Sequence, residues 1–113
     1  MNIGAIDIGT NTIRLLIGQI DNGRLARIAS DRAVTRLGKD LMKTGVLSAD
    51  SINKSLSALK SFKETCDKYN VTKIIAVGTS ALREAKNSRD FINTVKKETG
   101  ADMLQCFCLR HLE

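Results

Sequence analysis

The first part of the chain alternates and clusters its apolar positions as a β-sheet does. Residues 3–8, IGAIDI, form a short apolar run that predicts a buried strand. Residues 12–20 supply a second strand rich in Ile and Leu, followed by Asp21-Asn22-Gly23. An Asn-Gly pair between two apolar stretches is the strongest short-range hairpin signal. A third strand is expected from about Arg24 to Leu37, with imperfect alternation. Three antiparallel strands in a meander therefore open the chain.

The pattern then changes period. After a loop from Gly38 to Leu47, Ser48 is a good N-cap for a long helix reaching about Tyr69. Ile52, Leu56, Leu59, Phe62, Cys66 and Tyr69 trace one helical face, which reads as core. Residues 71–77, VTKIIAV, are short, rich in Val and Ile, and bounded by Asn70 and Gly78, as a buried parallel strand would be. Gly78-Thr79-Ser80 opens a helix, ALREA, and Asn87 or Ser88 caps a second, DFINTVKKE, which Gly100 ends. Residues 102–109 complete the order β-β-β-α-β-α-β, an α/β arrangement with a mixed sheet covered by helices.

Composition narrows the picture modestly. At 113 residues this is one domain, or half of a larger one. No run approaches the roughly 20 apolar residues of a membrane span. The start, MNIGAIDIG, lacks the basic opening of a secretory signal, which points to the cytoplasm. The net charge of +6 fits a solvated basic surface or a pull toward a polyanionic small molecule. Four aromatics and no Trp are poor material for stacking bases, so sequence-specific nucleic-acid recognition is not expected. Cys106, Cys108 and His111 match no familiar zinc spacing, and Cys66 falls on the core stripe of the long helix.

Two stretches carry the candidate chemistry. Asp7 ends the first strand, and Gly9-Thr10-Asn11-Thr12 follows, with Arg14 close behind. Successive N–H groups in such a turn can form a concave nest for anionic oxygens, to which the hydroxyls and the amide add donors. Asp7 repels phosphate and makes sense instead as a ligand for Mg²⁺ carried with it. The alternative is a tight hairpin with a buried, hydrogen-bonded Asp. In the second stretch a buried strand ends at Gly78 and a helix opens with Thr79 and Ser80, with Arg83 about one turn inside. Helix N-termini favour anions, and open α/β sheets collect ligands at the carboxyl ends of strands. Here the alternative is a capped helix whose Arg83 pairs with Glu84 or solvent.

Taken together, Asp7 to Thr12 and the later Gly78, Thr79, Leu82, Arg83 and Ala85 resemble the N-terminal domain of the exopolyphosphatase / guanosine pentaphosphate phosphohydrolase (Ppx/GppA) family. The likeness runs from residue 1 to about 102. It implies a ribonuclease H-like, actin-like ATPase half-domain. It also implies a Mg²⁺-dependent phosphatase that removes the terminal phosphoryl group of inorganic polyphosphate or guanosine pentaphosphate. By that resemblance Asp7 serves the metal. Gly9, Thr10, Asn11, Thr12 and Arg14 hold phosphate on one side, and Gly78, Thr79, Ser80 and Arg83 on the other. The family continues with Ser/Thr-Gly and a cluster of glutamates, one of which activates water, where this chain reads CLRHLE. The second domain with its own phosphate loop is also missing, so residues 1–113 are expected to be a truncated, catalytically silent single domain. A binding module or remnant, and another actin-like phosphotransferase of the sugar or acetate kinase type, remain open. Self-association through the exposed cleft face, as a homodimer or less orderly, is expected of a lone half.

Overall fold

The computed structural model describes residues 1–39, 41–78 and 84–104. Strands β1 (Asn2–Ile8), β2 (Thr12–Asp21) and β3 (Arg24–Val34) form the expected meander. A short helix α1 (Leu41–Thr44) and the long α2 (Ala49–Lys68) follow. Strand β4 (Lys73–Gly78), helix α3 (Ser88–Thr99) and strand β5 (Asp102–Leu104) complete the described elements. They make a five-stranded sheet in the order β3-β2-β1-β4-β5. The pairs β1–β2 and β2–β3 are antiparallel, whereas β4 runs parallel to both β1 and β5.

Local chemistry accounts for most of these boundaries. Asn22 and Gly23 both take positive φ, 52° and 76°, as a two-residue hairpin turn matched to strand twist requires. The Ser48 side chain accepts the Ser51 N–H and caps α2. Gly100 closes α3 in the left-handed conformation, its N–H donating to Lys96 O. Three expectations shift. Strand β3 stops at Val34, not Leu37, because the N–H groups of Thr35 and Arg36 both turn to Asn11 O and Arg36 itself takes a φ of 51°. The loop after it contains α1. Strand β4 begins at Lys73, because Val71 N–H still reaches back to Cys66 O at the end of α2. The first three residues of the expected ALREA helix, 81–83, and the end of the last strand, 105–109, lie outside the described residues.

The core lies on one face of the sheet. Ile6 and Ile8 of β1, Ile13, Leu15 and Ile17 of β2, and Ile74 and Ala76 of β4 pack with Leu59, Phe62 and Cys66 of α2 and Phe91 and Val95 of α3. Burying such side chains contributes about 1.5–3 kcal/mol each before chain entropy is charged. The core face of α2 also includes Ser51 and Ser55, which the apolar stripe does not reveal. Ser51 Oγ donates to Arg36 O, so a buried serine ties the helix to the segment after β3. Burial pushes the Cys66 thiol up from its ordinary value, with Asp67 adding slightly and Lys63 opposing. Among the described residues no helix is long and apolar enough to cross a membrane.

Strand alternation sends the next set of side chains to the opposite face. Ala5, Asp7, Arg14 and Leu16 are all exposed there. This open face, at the carboxyl ends of β1 and β4, is where the candidate chemistry lies.

Candidate functional site

Parallel pairing of β1 with β4 puts Ile8 beside Gly78 and Asp7 beside Val77. The Gly9 turn and the Gly78 end of β4, far apart in sequence, therefore lie at the same end of the sheet on strands about 4.8 Å apart. Thr79, Ser80 and Arg83, which follow Gly78 in sequence, lie outside the described residues. Gly78 is buried at the end of β4.

The first bend is described in full. Gly9 N–H donates to Thr12 O at 3.0 Å and closes a tight turn. A Cβ at Gly9 would stand 2.6 Å from that same carbonyl oxygen. Glycine is required here by the turn's own backbone, and its φ is not in the left-handed region. The carbonyls of the turn are held from outside. Gly38 N–H donates to Thr10 O at 2.9 Å, and Thr35 and Arg36 N–H both donate to Asn11 O at 3.0 Å. No cis peptide is present among the described residues. In a trans peptide C=O and N–H point to opposite sides. With the carbonyls of Thr10 and Asn11 turned to residues 35–38, the N–H groups of Asn11 and Thr12 point away from that segment. Parallel N–H groups of this kind are the geometry of an anion nest.

Asp7 sits on the open face, directly across β2 from Arg14. Arg14 in turn faces Arg32 of β3. Arg32, Arg14, Asp7 and Val77 thus form one row across four strands. Among the described residues the ion pairs are Lys54–Asp50 and Lys63–Asp67, both on α2, so Asp7 is left without a cationic partner within 4.0 Å. No cluster of three or more His, Cys, Asp or Glu ligands occurs among the described residues. A lone exposed carboxylate beside donor groups suits Mg²⁺, which keeps several waters and completes its shell with substrate phosphate. The donor set therefore fits the ion as a substrate-dependent guest and not as a resident structural metal.

The sequence pattern does not reveal the brace behind the site. Residues 35–38 hold the Gly9 turn, and the same connection later reaches the segment just before α3. Asn87 Oδ1 accepts Leu47 N–H at 2.8 Å, its Nδ2 donates to Leu47 O at 3.0 Å, and Lys86 N–H donates to Gly45 O at 2.9 Å. Asn87 occupies the N-cap position of α3 but makes no side-chain cap bond. A cap and a cross-link are written with the same residue type, so sequence alone suggests the first. Arg32 was equally silent, since nothing in the spacing of β3 pairs it with Arg14.

Residues 16–104 match the model of the Ppx/GppA phosphatase family. The chain belongs to the Ppx/GppA phosphatase family. The matched span includes β4 and most of the meander but begins after the Gly9 turn. Over 102 residues the chain is 37% identical to the bifunctional 3-dehydroquinate synthase/phosphatase of Fusobacterium nucleatum, covering 84% of this chain and 15% of that protein. It is 30% identical over 104 residues to exopolyphosphatase 1 of Mycobacterium tuberculosis, covering 91% of this chain and 30% of that one. The crystal structure of the Aquifex aeolicus Ppx/GppA family member superposes with a TM-score of 0.86 at 36% identity, over 94% of this chain and 35% of that one. The chain therefore spans between 15% and 35% of these relatives. The fold is the ribonuclease H-like, actin-like α/β arrangement that the sequence resemblance implies.

Proposed function

We propose that this Ppx/GppA-family domain holds the phosphate tail of a condensed-phosphate substrate, inorganic polyphosphate or a guanosine polyphosphate, for hydrolysis of its terminal phosphoanhydride. The observation that carries the reading is the pairing of Ile8 with Gly78, which sets the Gly9 turn beside the end of β4, where the second motif begins in sequence. The Gly9–Thr12 turn offers N–H groups and hydroxyls to one end of the tail. Thr79, Ser80 and Arg83 are assigned by the family pattern to that same end of the tail, from the other side. Asp7 would hold Mg²⁺, which supplies charge neutralisation when bound with phosphate. The share of the reaction carried by these residues is positioning, which is most of what phosphoryl transfer asks of a protein. Asp7 is the one carboxylate in the described row, so no second carboxylate stands ready there to activate water. Phosphate release by the 113-residue chain alone is accordingly expected near background.

Titration of ¹⁵N-labelled protein with tripolyphosphate and Mg²⁺ tests the reading. Amide shifts should cluster at residues 7–14 and 78–85. Shifts confined to other surfaces, or none, would refute it. The open face carries exposed Leu16 and, on the adjoining edge strand, Val34 at 63% exposure. We assign self-association to this face, and sedimentation velocity of Leu16→Glu checks it. The variant should be more monomeric than the parent chain, and an unchanged distribution would remove the assignment.

A further inference from the structure

The meander places two arginines directly against each other. Thr35 N–H bonds to Asn11 O, which makes 11 and 35 facing residues of the hydrogen-bonded kind. Antiparallel pairs alternate, so 12/34 is non-hydrogen-bonded, 13/33 hydrogen-bonded and 14/32 non-hydrogen-bonded again. The register shift in this ladder falls at Ile17/Gly18, beyond the pair, so the alternation is uninterrupted. Non-hydrogen-bonded partners bring their Cβ atoms to about 4.5–5.5 Å. Arg14 and Arg32 are therefore in the closest class of cross-strand neighbours, both exposed, and on the face that carries Asp7 and Thr12.

Like charges directly opposite in a sheet are destabilising, and a guanidinium cannot relieve this by losing its proton. Asp7 of β1 stands opposite Arg14, but neither it nor Asp31 makes an ion pair with the two arginines among the described residues. Neither arginine takes part in the ion pairs found among the described residues. Asp31 is next in sequence, but its Oδ1 accepts the Arg32 backbone N–H at 2.8 Å, and it stands opposite buried Leu15 on the other face. Two cations thus stand together beside a turn whose N–H groups already favour an anion.

We propose that Arg14 and Arg32 form an extension subsite for the inner phosphoryl groups of a linear condensed phosphate whose terminal group sits in the Gly9–Thr12 turn. This rests on the phosphate-holding reading above and adds to it a further residue, Arg32, and the direction in which the chain of phosphates runs. Asp7, Arg14 and Arg32 are spaced one strand apart, about 4.8 Å each, so the row runs across the sheet away from β4. Two or three linked phosphoryl groups bridge that interval, and a single orthophosphate does not. Guanidinium forks match phosphate oxygens two at a time, which lets the pair count linked groups and not merely attract charge. The surroundings speak against a nucleic-acid strand. The neighbours on this face are Thr12, Leu16, Ser30 and Val34, with no aromatic ring on which a base could stack.

The test compares the 113-residue chain with Arg32→Gln, and with Arg24→Gln at the far end of β3 as a charge control. Binding of orthophosphate, tripolyphosphate and an oligothymidylate is measured in Mg²⁺ by calorimetry, with the Asn11 and Thr12 amides followed by NMR. Arg32→Gln is expected to weaken tripolyphosphate about fivefold to tenfold and leave orthophosphate within twofold. Arg24→Gln should change neither. Because the variant removes a repulsion, its melting temperature at low salt should not fall, so weakened binding is not a folding artefact. If Arg32→Gln binds tripolyphosphate as tightly as the parent while Asn11 and Thr12 still shift, the subsite is refuted and the turn's role stands. If no phosphate shifts those amides in the parent chain, both fall. Oligothymidylate bound as tightly, with the same dependence on Arg32, would reduce the pair to a general polyanion patch and overturn the proposal.

Discussion

Gly9→Ala and Gly18→Ala should behave in opposite ways, although the added methyl meets an atom at 2.6 Å in both. At Gly9 the obstacle is Thr12 O, a backbone atom engaged by the Gly9 N–H itself. It cannot retreat without opening the turn. Overpacking costs about 1–3 kcal/mol, and loss of the turn bond adds about 0.5–1.5 kcal/mol. Reduced freedom of the unfolded chain returns about 0.4–1 kcal/mol. The net loss is about 1–3 kcal/mol, or roughly 4–15 °C in melting temperature for a domain of this size. At Gly18 the obstacle is Leu25 Cδ1, the tip of a flexible side chain that is 69% exposed. Leu25 swings aside, and alanine is worth about 0.5–1 kcal/mol over glycine in a strand. Gly18→Ala should be neutral to slightly stabilising. Thermal and urea melts of the two variants, without any phosphate present, check this. Equal losses, or an unchanged Gly9→Ala, would refute the claim that the turn's own carbonyl, and not a ligand, demands glycine at position 9.

Three further outcomes follow from the packing. The Cys66 thiol is held above its ordinary value of 9.0 mainly by burial. Its contribution to stability is therefore complete below the unfolded-state value and is lost as pH rises from there through the folded-state value, since only the unfolded chain sheds the proton. Urea melts between pH 7 and 10.5 should show this decline and a shallower one for Cys66→Ala, with parallel slopes contradicting it. Asn87→Ala removes both bonds to Leu47 in a half-buried setting and should cost about 1–3 kcal/mol by chemical denaturation; a loss under 0.5 kcal/mol would deny the cross-link. Thr35 is 2% exposed and its hydroxyl finds no hydrogen-bond partner among the described residues, so Thr35→Val should be neutral or stabilise by about 1 kcal/mol, and a clear fall in melting temperature would reveal a partner.

What was legible in the sequence is what local chemistry controls. Helix α2 was readable at both ends because Ser48 caps it through its own third neighbour and the apolar stripe recurs turn by turn. The hairpin was readable because Asn22-Gly23 satisfies a conformational demand that few pairs meet. Ser51 and Ser55 escaped because serine on a helix reads as solvent-facing, and only the tertiary structure shows Ser51 spending its hydroxyl on Arg36 O. The stop of β3 at Val34 escaped for a related reason. Arginine carries no preference for positive φ, so the break at Arg36 is imposed by the Asn11 carbonyl more than twenty residues earlier. Within the candidate site, the motif residues of the first turn announced themselves through glycine and hydroxyl spacing. Arg32 and Asn87 did not, because a cross-strand partner and a backbone cross-link are facts of register.

The position of Arg36 raises a question of cost. A non-glycine residue in the left-handed region costs of order 1–3 kcal/mol and persists only where its surroundings over-determine it. Here they do. Its N–H is donated to Asn11 O and its carbonyl accepts from Ser51 Oγ, while Gly38 takes up Thr10 O two residues on. A strand continuing to Leu37 would relax Arg36 but would release the turn's carbonyls and let its N–H groups rotate. The strain is therefore tied to the direction in which the amides of Asn11 and Thr12 point. The same connection goes on to meet Lys86 and Asn87 just before α3, so one segment braces both the Gly9 turn and the start of α3. Binding an oxyanion with backbone amides is effective only when ordering them has been completed during folding, because otherwise each fixed residue subtracts from affinity. The loop from Thr35 to Leu47 is then part of the proposed phosphate site although none of its side chains need touch phosphate.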